Sequence, residues 1–376
     1  MLIHIDESAA ADVASGSATA ELSHACIENL LLAHFEGNHV ISLLPEHVNV
    51  LRRTPPGWSA RARRALDHLD DNYAQIAGLR NDVPWSIELG IGAIFDGVVL
   101  EIVGRKRVIR ATLHAFDRVQ KAACAALLGE NRTDADLFVQ LGLMMRALRG
   151  WDGTAMVHHP RGGGGDTTAI EHKGMADEGR ILLTIADTDQ RYPECPVGGT
   201  YHKLEKAAQG RPAYQRARSL PVRTAEGLVP LGVYREVLTS PQLRLSVDRI
   251  DQLLRCAPAG VLRYAHLKDG IRRHQVENPK TKAEGKYWSD IAKNAGRGQC
   301  TRPTHEQCRT REECGCYVVD ALGGHALSAV VIWMKERKSK RRLAASFGLS
   351  LQPASELSAL ADEVLAWGLA LAPLQT

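Results

Sequence analysis

Residues 180–193, RILLTIADTDQRYP, run six apolar or β-favouring residues directly into two aspartates, Asp187 and Asp189, with only Thr188 between them. An apolar run without polar alternation is the pattern of a strand buried on both faces, as in a parallel sheet covered by helices. Period two puts Asp187 and Asp189 on one side of an extended chain, where two like charges resist ionisation unless a cation neutralises them. The stretch therefore demands a buried parallel strand with charge at its carboxyl end, where open α/β sheets bind ligands.

The preceding residues keep the same rhythm. CAALLGE is a short apolar run ending at Glu130. TDADLFVQLGLMMRALRG then sets Leu137, Leu141, Met144 and Leu148 on one helical face, with Thr133 as the expected N-cap and Gly150 at the stop. TAMVHH reads as the next strand, and the glycine run with DTTAIEHKGMADEG as the helical return to RILLTIAD. Strands alternating with helices imply an α/β fold with a parallel sheet flanked by helices.

Residues 1–120 read as a separate α+β region of unknown role. HVISLL, VPWSIELG and AIFDGVVLEIVG look like strands, and SARARRALDHLDDNYAQIAGL like helix. His34, Glu36 and His39 lack a metal-binding pattern and read as surface residues. Residues 121–250 form the expected α/β domain. Residues 251–376 read as a helical, cysteine-containing C-terminal region.

A chain of 376 residues with 44% apolar and 24% charged residues has ample sequence for a core, which excludes wholesale disorder. The opening MLIHIDESAAADVASGS has neither the basic start nor the apolar run of a secretory signal, and no apolar stretch is long enough to span a bilayer. A cytoplasmic protein without membrane contact is the expectation. Net charge is only +4, so any nucleic-acid affinity must come from local clusters. KERKSKRR, residues 335–342, is one, with six basic residues in eight positions; it reads equally as a solvated helix face or as a phosphate contact.

Three signals fall at three strand ends. In GENRTDAD, Asp134 and Asp136 lie in a helix's first turn, where carboxylates stabilise the helix dipole by about 0.3–1 kcal/mol each; Glu130 has no such explanation. Gly162, Gly163, Gly164 and Gly165 in HHPRGGGGDTT free backbone N–H groups to line a turn that could hold an anion, although Asp166, Thr167 and Thr168 replace the GK[ST] of a P-loop. The D-x-D of Asp187 and Asp189 suits Mg²⁺, which takes one or two carboxylates, several waters and substrate phosphates.

In this order LLGENRTDADLFVQLG, HHPRGGGGDTTA and LLTIADTDQ resemble the motifs of the Toprim domain, the metal-binding fold shared by topoisomerases, primases and OLD-family nucleases. The resemblance covers roughly residues 121–245. It implies that Glu130, Asp134, Asp187 and Asp189 hold one or two Mg²⁺ or Mn²⁺ ions, about 3.5–4 Å apart if two, and hydrolyse phosphodiesters of DNA or RNA. VPLGVYREVLTSP resembles the OLD-type segment in which an Arg-Glu pair at a strand end adds Glu236 to the ligands, with Leu238 and Thr239 where Glu and Asn are common. Lys335 or Lys338 matches, by position alone, the late lysine of that branch. Resembling nucleases work beside an ATP-hydrolysing subunit in anti-phage defence, which implies an ATPase partner or a self-assembled oligomer as control. A non-catalytic nucleic-acid-binding or scaffold module with this fold, or a topoisomerase- or primase-type enzyme, is the alternative. Tyr192 and Tyr201 near the D-x-D read as packing residues rather than nucleophiles.

Four of the eight cysteines, Cys300, Cys308, Cys314 and Cys316, cluster with His305 in CTRPTHEQCRTREECGC. Thiolates suit tetrahedral Zn²⁺, whereas the spacing C-x₇-C-x₅-C-x-C matches no common zinc module. Structural zinc and a loop of free thiols both remain open. Cys26, Cys124, Cys195 and Cys256 are scattered and read as including buried thiols.

Overall fold

Ala126–Gly129 (β6) and Leu182–Ala186 (β9) are buried at every residue, as their unbroken apolar sequences require. The computed structural model describes residues 1–55, 57–297, 316–351 and 355–375. These divide into two compact units: unit 1 is Met1–Ile185, Leu204–Arg218 and Ser350–Thr376, and unit 2 is Ala186–Lys203 and Ser219–Leu349. The chain is mixed α/β, with a parallel sheet flanked by helices.

Unit 1 carries two sheets. The first has the order β2–β1–β3–β5–β4, with β1 Leu2–Ile5, β2 Val40–Ser42, β3 Trp85–Gly90, β4 Val99–Val103 and β5 Lys106–Thr112. Its first four strands in this order are mutually parallel and only β4 runs antiparallel. The N-terminal region is thus α/β rather than α+β. Helices α1 (Glu7–Ser15) and α2 (Ala20–Phe35) carry the chain from β1 to β2, and α3 (Pro45–Arg53), α4 (Ala60–Asp71) and α5 (Tyr73–Asp82) carry it to β3. The helical stretch after Ser59 is broken at Asn72 into two helices.

The second sheet has the order β10–β9–β6–β8, with β8 His159–Gly162 and β10 Gln215–Ser219. Both β8 and β9 run parallel to β6. Helix α6 (Arg132–Arg149) leads from β6 outward to β8, and α7 (Thr168–Asp177) leads back to β9 on the other flank of β6. The winding therefore reverses at β6, so a topological switch point lies at the carboxyl ends of β6 and β9. Of TAMVHH only the last residue, His159, enters the strand of this sheet. Ala155–Met156 (β7) pairs antiparallel with Leu369–Ala370, and the pairing with β6 falls on HPRG, which its sequence does not mark as apolar.

Leu137, Leu141 and Met144 on α6 are fully buried, each stabilising by about 1.5–3 kcal/mol. The N-cap is Asn131, not Thr133: its side chain accepts from the Asp134 N–H at 3.1 Å while Asp134 Oδ2 accepts from the Asn131 N–H at 3.2 Å. Gly150 ends the helix at φ 66°, a left-handed C-cap.

After helix α8 (Gly199–Ala208), unit 2 is built on short helices: α9 (Leu231–Val237), α10 (Pro241–Cys256), α11 (Arg273–Glu277), α12 (Lys282–Asn294), α13 (Ala326–Glu336) and α14 (Lys340–Ser346). Ser240 caps α10, Pro241 opens it, and Val247, Ile250 and Leu253 bury one face. Ile271–Arg272 pairs antiparallel with Tyr317–Val319. No helix among the described residues is long and apolar enough to cross a membrane.

Candidate functional site

Glu130 leaves the carboxyl end of β6, half-buried, in a turn that the glycine run holds from outside. The Gly163 N–H donates to the Gly129 carbonyl at 2.8 Å and the Gly165 N–H to the Glu130 carbonyl at 3.0 Å. A Cβ on Gly162 would stand 2.7 Å from the Arg132 nitrogen, and one on Gly163 would stand 2.5 Å from Thr168 Oγ1. Gly164 and Gly165 adopt φ of 74° and 64°. Close approach at two positions and left-handed backbone at two others account for all four glycines. Two of their amides are thus directed to the end of β6.

The D-x-D differs from the strand geometry that alternation suggests. β9 ends at Ala186, and Asp189 has φ 53°, the one left-handed non-glycine among the described residues. That backbone costs about 1–2 kcal/mol, so Asp187 and Asp189 belong to a turn and do not share a strand face. Three bonds within unit 2 hold the turn. Thr188 Oγ1 donates to the Val222 carbonyl at 2.9 Å, the Asp189 N–H to the Arg223 carbonyl at 3.1 Å, and the Gly198 N–H to the Thr188 carbonyl at 2.7 Å. Gly198 is required here, since its Cβ would stand 2.5 Å from Asp189 Cβ.

Other sequence candidates separate. Asp134 is buried in its capping box, and Asp136 pairs with Arg132 at 3.0 Å. Glu236 sits on α9 rather than at a strand end, exposed and ion-paired with Arg337. Lys335 is exposed near the end of α13, and the basic run is no single helix face because it breaks between α13 and α14. Within it Arg337 also lies over the Trp333 ring, 4.8 Å from the centroid, and Lys340 donates to the Met334 carbonyl. Lys338 is exposed in the break, and Tyr192 and Tyr201 are half-buried.

His34 and His39 are buried, not surface residues. His34 Nδ1 accepts from the Ile41 N–H at 3.1 Å, and burial pushes its pKa down to about 3. His39 Nε2 lies 3.0 Å from the Ala123 carbonyl oxygen. Cys300, Cys308, Cys314 and His305 lie outside the described residues; Cys316 is half-buried, and Cys26 is fully buried with its thiol pushed up to about 12.

Comparison with protein-family models, with curated proteins and with solved structures gives no match. Of the four expected ligands, Glu130 and Asp134 belong to unit 1 and Asp187 and Asp189 to unit 2, and all four are carboxylates. Hard oxygen donors of this kind fit Mg²⁺ or Mn²⁺ and do not favour a soft metal. No group of three or more His, Cys, Asp or Glu in metal-holding arrangement occurs among the described residues.

Sequence reading missed an arginine pair in unit 2. Arg191 follows the D-x-D, and Arg223 holds Asp189 through its backbone while its side chain lines a cavity with Arg191. The basic residue in DTDQR is the one signal of it in the sequence.

Proposed function

We propose that this chain is a metal-dependent nuclease of Toprim type, hydrolysing phosphodiester bonds of DNA or RNA. The observation that carries the reading is the reversal of winding at β6. β6 and β9 are parallel neighbours in unit 1, and Glu130 leaves β6 at the switch point; Asp187 follows β9 in the sequence and belongs to unit 2. Glu130, Asp134, Asp187 and Asp189 would hold Mg²⁺ or Mn²⁺. When bound, the ion would activate water and stabilise charge on the leaving oxygen.

The chain's own contribution is positioning. The glycine run ties down the Glu130 backbone, and Thr188, Gly198 and the Arg223 carbonyl fix the Asp189 turn before substrate arrives. Glu236 and Lys335 enter only through the family resemblance, as does control by an ATPase partner or an oligomer in anti-phage defence within the cytoplasm. A non-catalytic nucleic-acid-binding module is the second reading, favoured by the arginine-lined cavity of unit 2, which needs no metal to grip phosphate.

The test is cleavage of labelled single- and double-stranded DNA and RNA with Mg²⁺ or Mn²⁺, against chelator. Cleavage is expected to need the metal and to vanish in Asp187→Ala and Glu130→Ala, each with unchanged circular dichroism. Unaltered cleavage by Asp187→Ala would remove the assigned site.

A further inference from the structure

Unit 2 encloses a cavity of about 390 Å³, large enough for more than a lone ion. Arg191, Arg223 and Lys280 bring three cations to its wall, against the carboxylates of Glu284 and Asp269. Glu284 is a long ion-pair partner of Arg191, and the attraction of Asp189 and Glu284 for Arg223 is outweighed by burial and Arg191. Arg191 Nη1 stands 3.7 Å from Glu284 Oε2, beyond hydrogen-bond length, and the Asp269 side chain is 72% exposed beside His266. Arg223 Nε is buried without a hydrogen-bond partner among the described residues, and its Nη1 reaches the Tyr264 carbonyl only at 3.4 Å. His274 Nδ1, on the same wall, is also buried without a partner. Burial, then the neighbouring Arg191, push the Arg223 pKa below the ordinary arginine value. Buried donors and like charges left in this state are costly, and an anion relieves both.

The planar guanidinium fork matches phosphate oxygens. The cavity also continues. A second concavity of about 430 Å³ shares Asp269, His274 and Gln275 with the first and adds Lys268 and Arg272. The Arg272 guanidinium is braced over the Tyr317 ring, 5.7 Å from its centroid. Cations repeated across two adjoining hollows suit consecutive phosphates of one strand better than a single small anion.

We infer that these two hollows bind consecutive phosphates of a single-stranded nucleic acid, with Arg191 and Arg223 holding one phosphate and Lys268 and Arg272 the next. The inference rests on the nuclease reading for the choice of nucleic acid; the phosphate chemistry rests on the hollows alone. Because Arg223 also fixes the D-x-D turn through its carbonyl, the strand is gripped beside the loop that carries Asp189.

The full chain, in chelator, is titrated with a labelled short single-stranded oligonucleotide, with inorganic phosphate and a mononucleotide as competitors. The oligonucleotide is expected to bind far more tightly than either competitor. Arg223→Gln and Arg191→Gln each weaken it about tenfold or more and lower the slope of log K against log salt by about 0.7. Arg105→Gln, at an exposed arginine of unit 1, leaves it unchanged. Parental affinity and salt slope in both arginine variants would overturn the inference, and a mononucleotide competing as well as the oligonucleotide would overturn the strand as occupant. Binding that depends on the arginines, without cleavage under any metal, leaves this inference standing and defeats the nuclease reading. Metal-dependent cleavage with binding indifferent to both arginines does the reverse.

Discussion

Two groups of half-buried arginines, one in each unit, are treated in opposite ways. In unit 1, Glu363 on the helix Glu356–Gly368 is 3% exposed and takes Arg216 at 2.6 Å together with Arg218. Its neighbour Asp362 receives both forks of Arg149 at 2.8 Å, although burial pushes the Asp362 pKa up against that pull. In unit 2, Arg191 and Arg223 line a cavity in which no carboxylate among the described residues lies at hydrogen-bond distance from Arg191, and a buried Nε is left over on Arg223. Completed pairs lock packing in place. The Nε left over on Arg223 leaves room for a further acceptor.

The largest effect expected of this contrast is on acid stability. Burial lowers the pKa of His4, His158 and His172 to about 4 and that of His34 to about 3, all in unit 1, against an ordinary value of 6.5. The folded state therefore takes up these protons later than the unfolded chain. Their contribution is fully present above pH 6.5 and is lost as pH falls towards 4, by roughly several kcal/mol in sum. Thermal midpoints measured from pH 7.5 to 4.5 should fall steadily below 6.5; a flat profile would break the assignment.

Next in size is Glu363→Gln, which strands two arginines. It should cost about 3 kcal/mol in chemical denaturation and leave oligonucleotide affinity unchanged, the opposite of the arginine variants in unit 2. Loss of affinity without loss of stability would erase the distinction.

Gly198→Ala is smaller, about 1–3 kcal/mol, because the new methyl group meets Asp189 Cβ. Its cleavage should drop more than its stability, and equal retention of cleavage would show that the position of Asp189 does not matter. Smallest is Asp189→Asn, which tolerates left-handed backbone and should shift stability by under about 0.5 kcal/mol while removing cleavage. Asp189→Val, which does not tolerate it, should cost about 1–2 kcal/mol in the same assay.

These elements differ in how far the sequence reveals them. β6, β9 and α6 are legible because continuous apolar runs and a 3.6-residue stripe leave few alternatives, and Gly150 marks a helix end by its own chemistry. β8 is not, because His159–Gly162 becomes a strand by pairing with β6, a tertiary fact without an apolar signature. The parallel character of the first sheet is hidden for a similar reason: Leu2–Ile5 is a four-residue strand whose direction relative to β2 depends on the helices that intervene. At the candidate site, the carboxylates are visible as residue types at strand ends. The left-handed Asp189 and the meeting of Arg191 with Arg223 are not, since both depend on contacts between residues far apart in the chain.

Metal binding tests the central claim most directly, because it needs neither the right substrate nor a partner. The full chain is titrated with Mn²⁺ by calorimetry, in parallel with the Asp187→Ala and Glu130→Ala variants. Saturable binding of one or two ions per chain, lost in both variants while their melting temperatures hold, is the result expected. Binding that is absent in the parent, or unchanged in both variants, would contradict the metal-dependent reading.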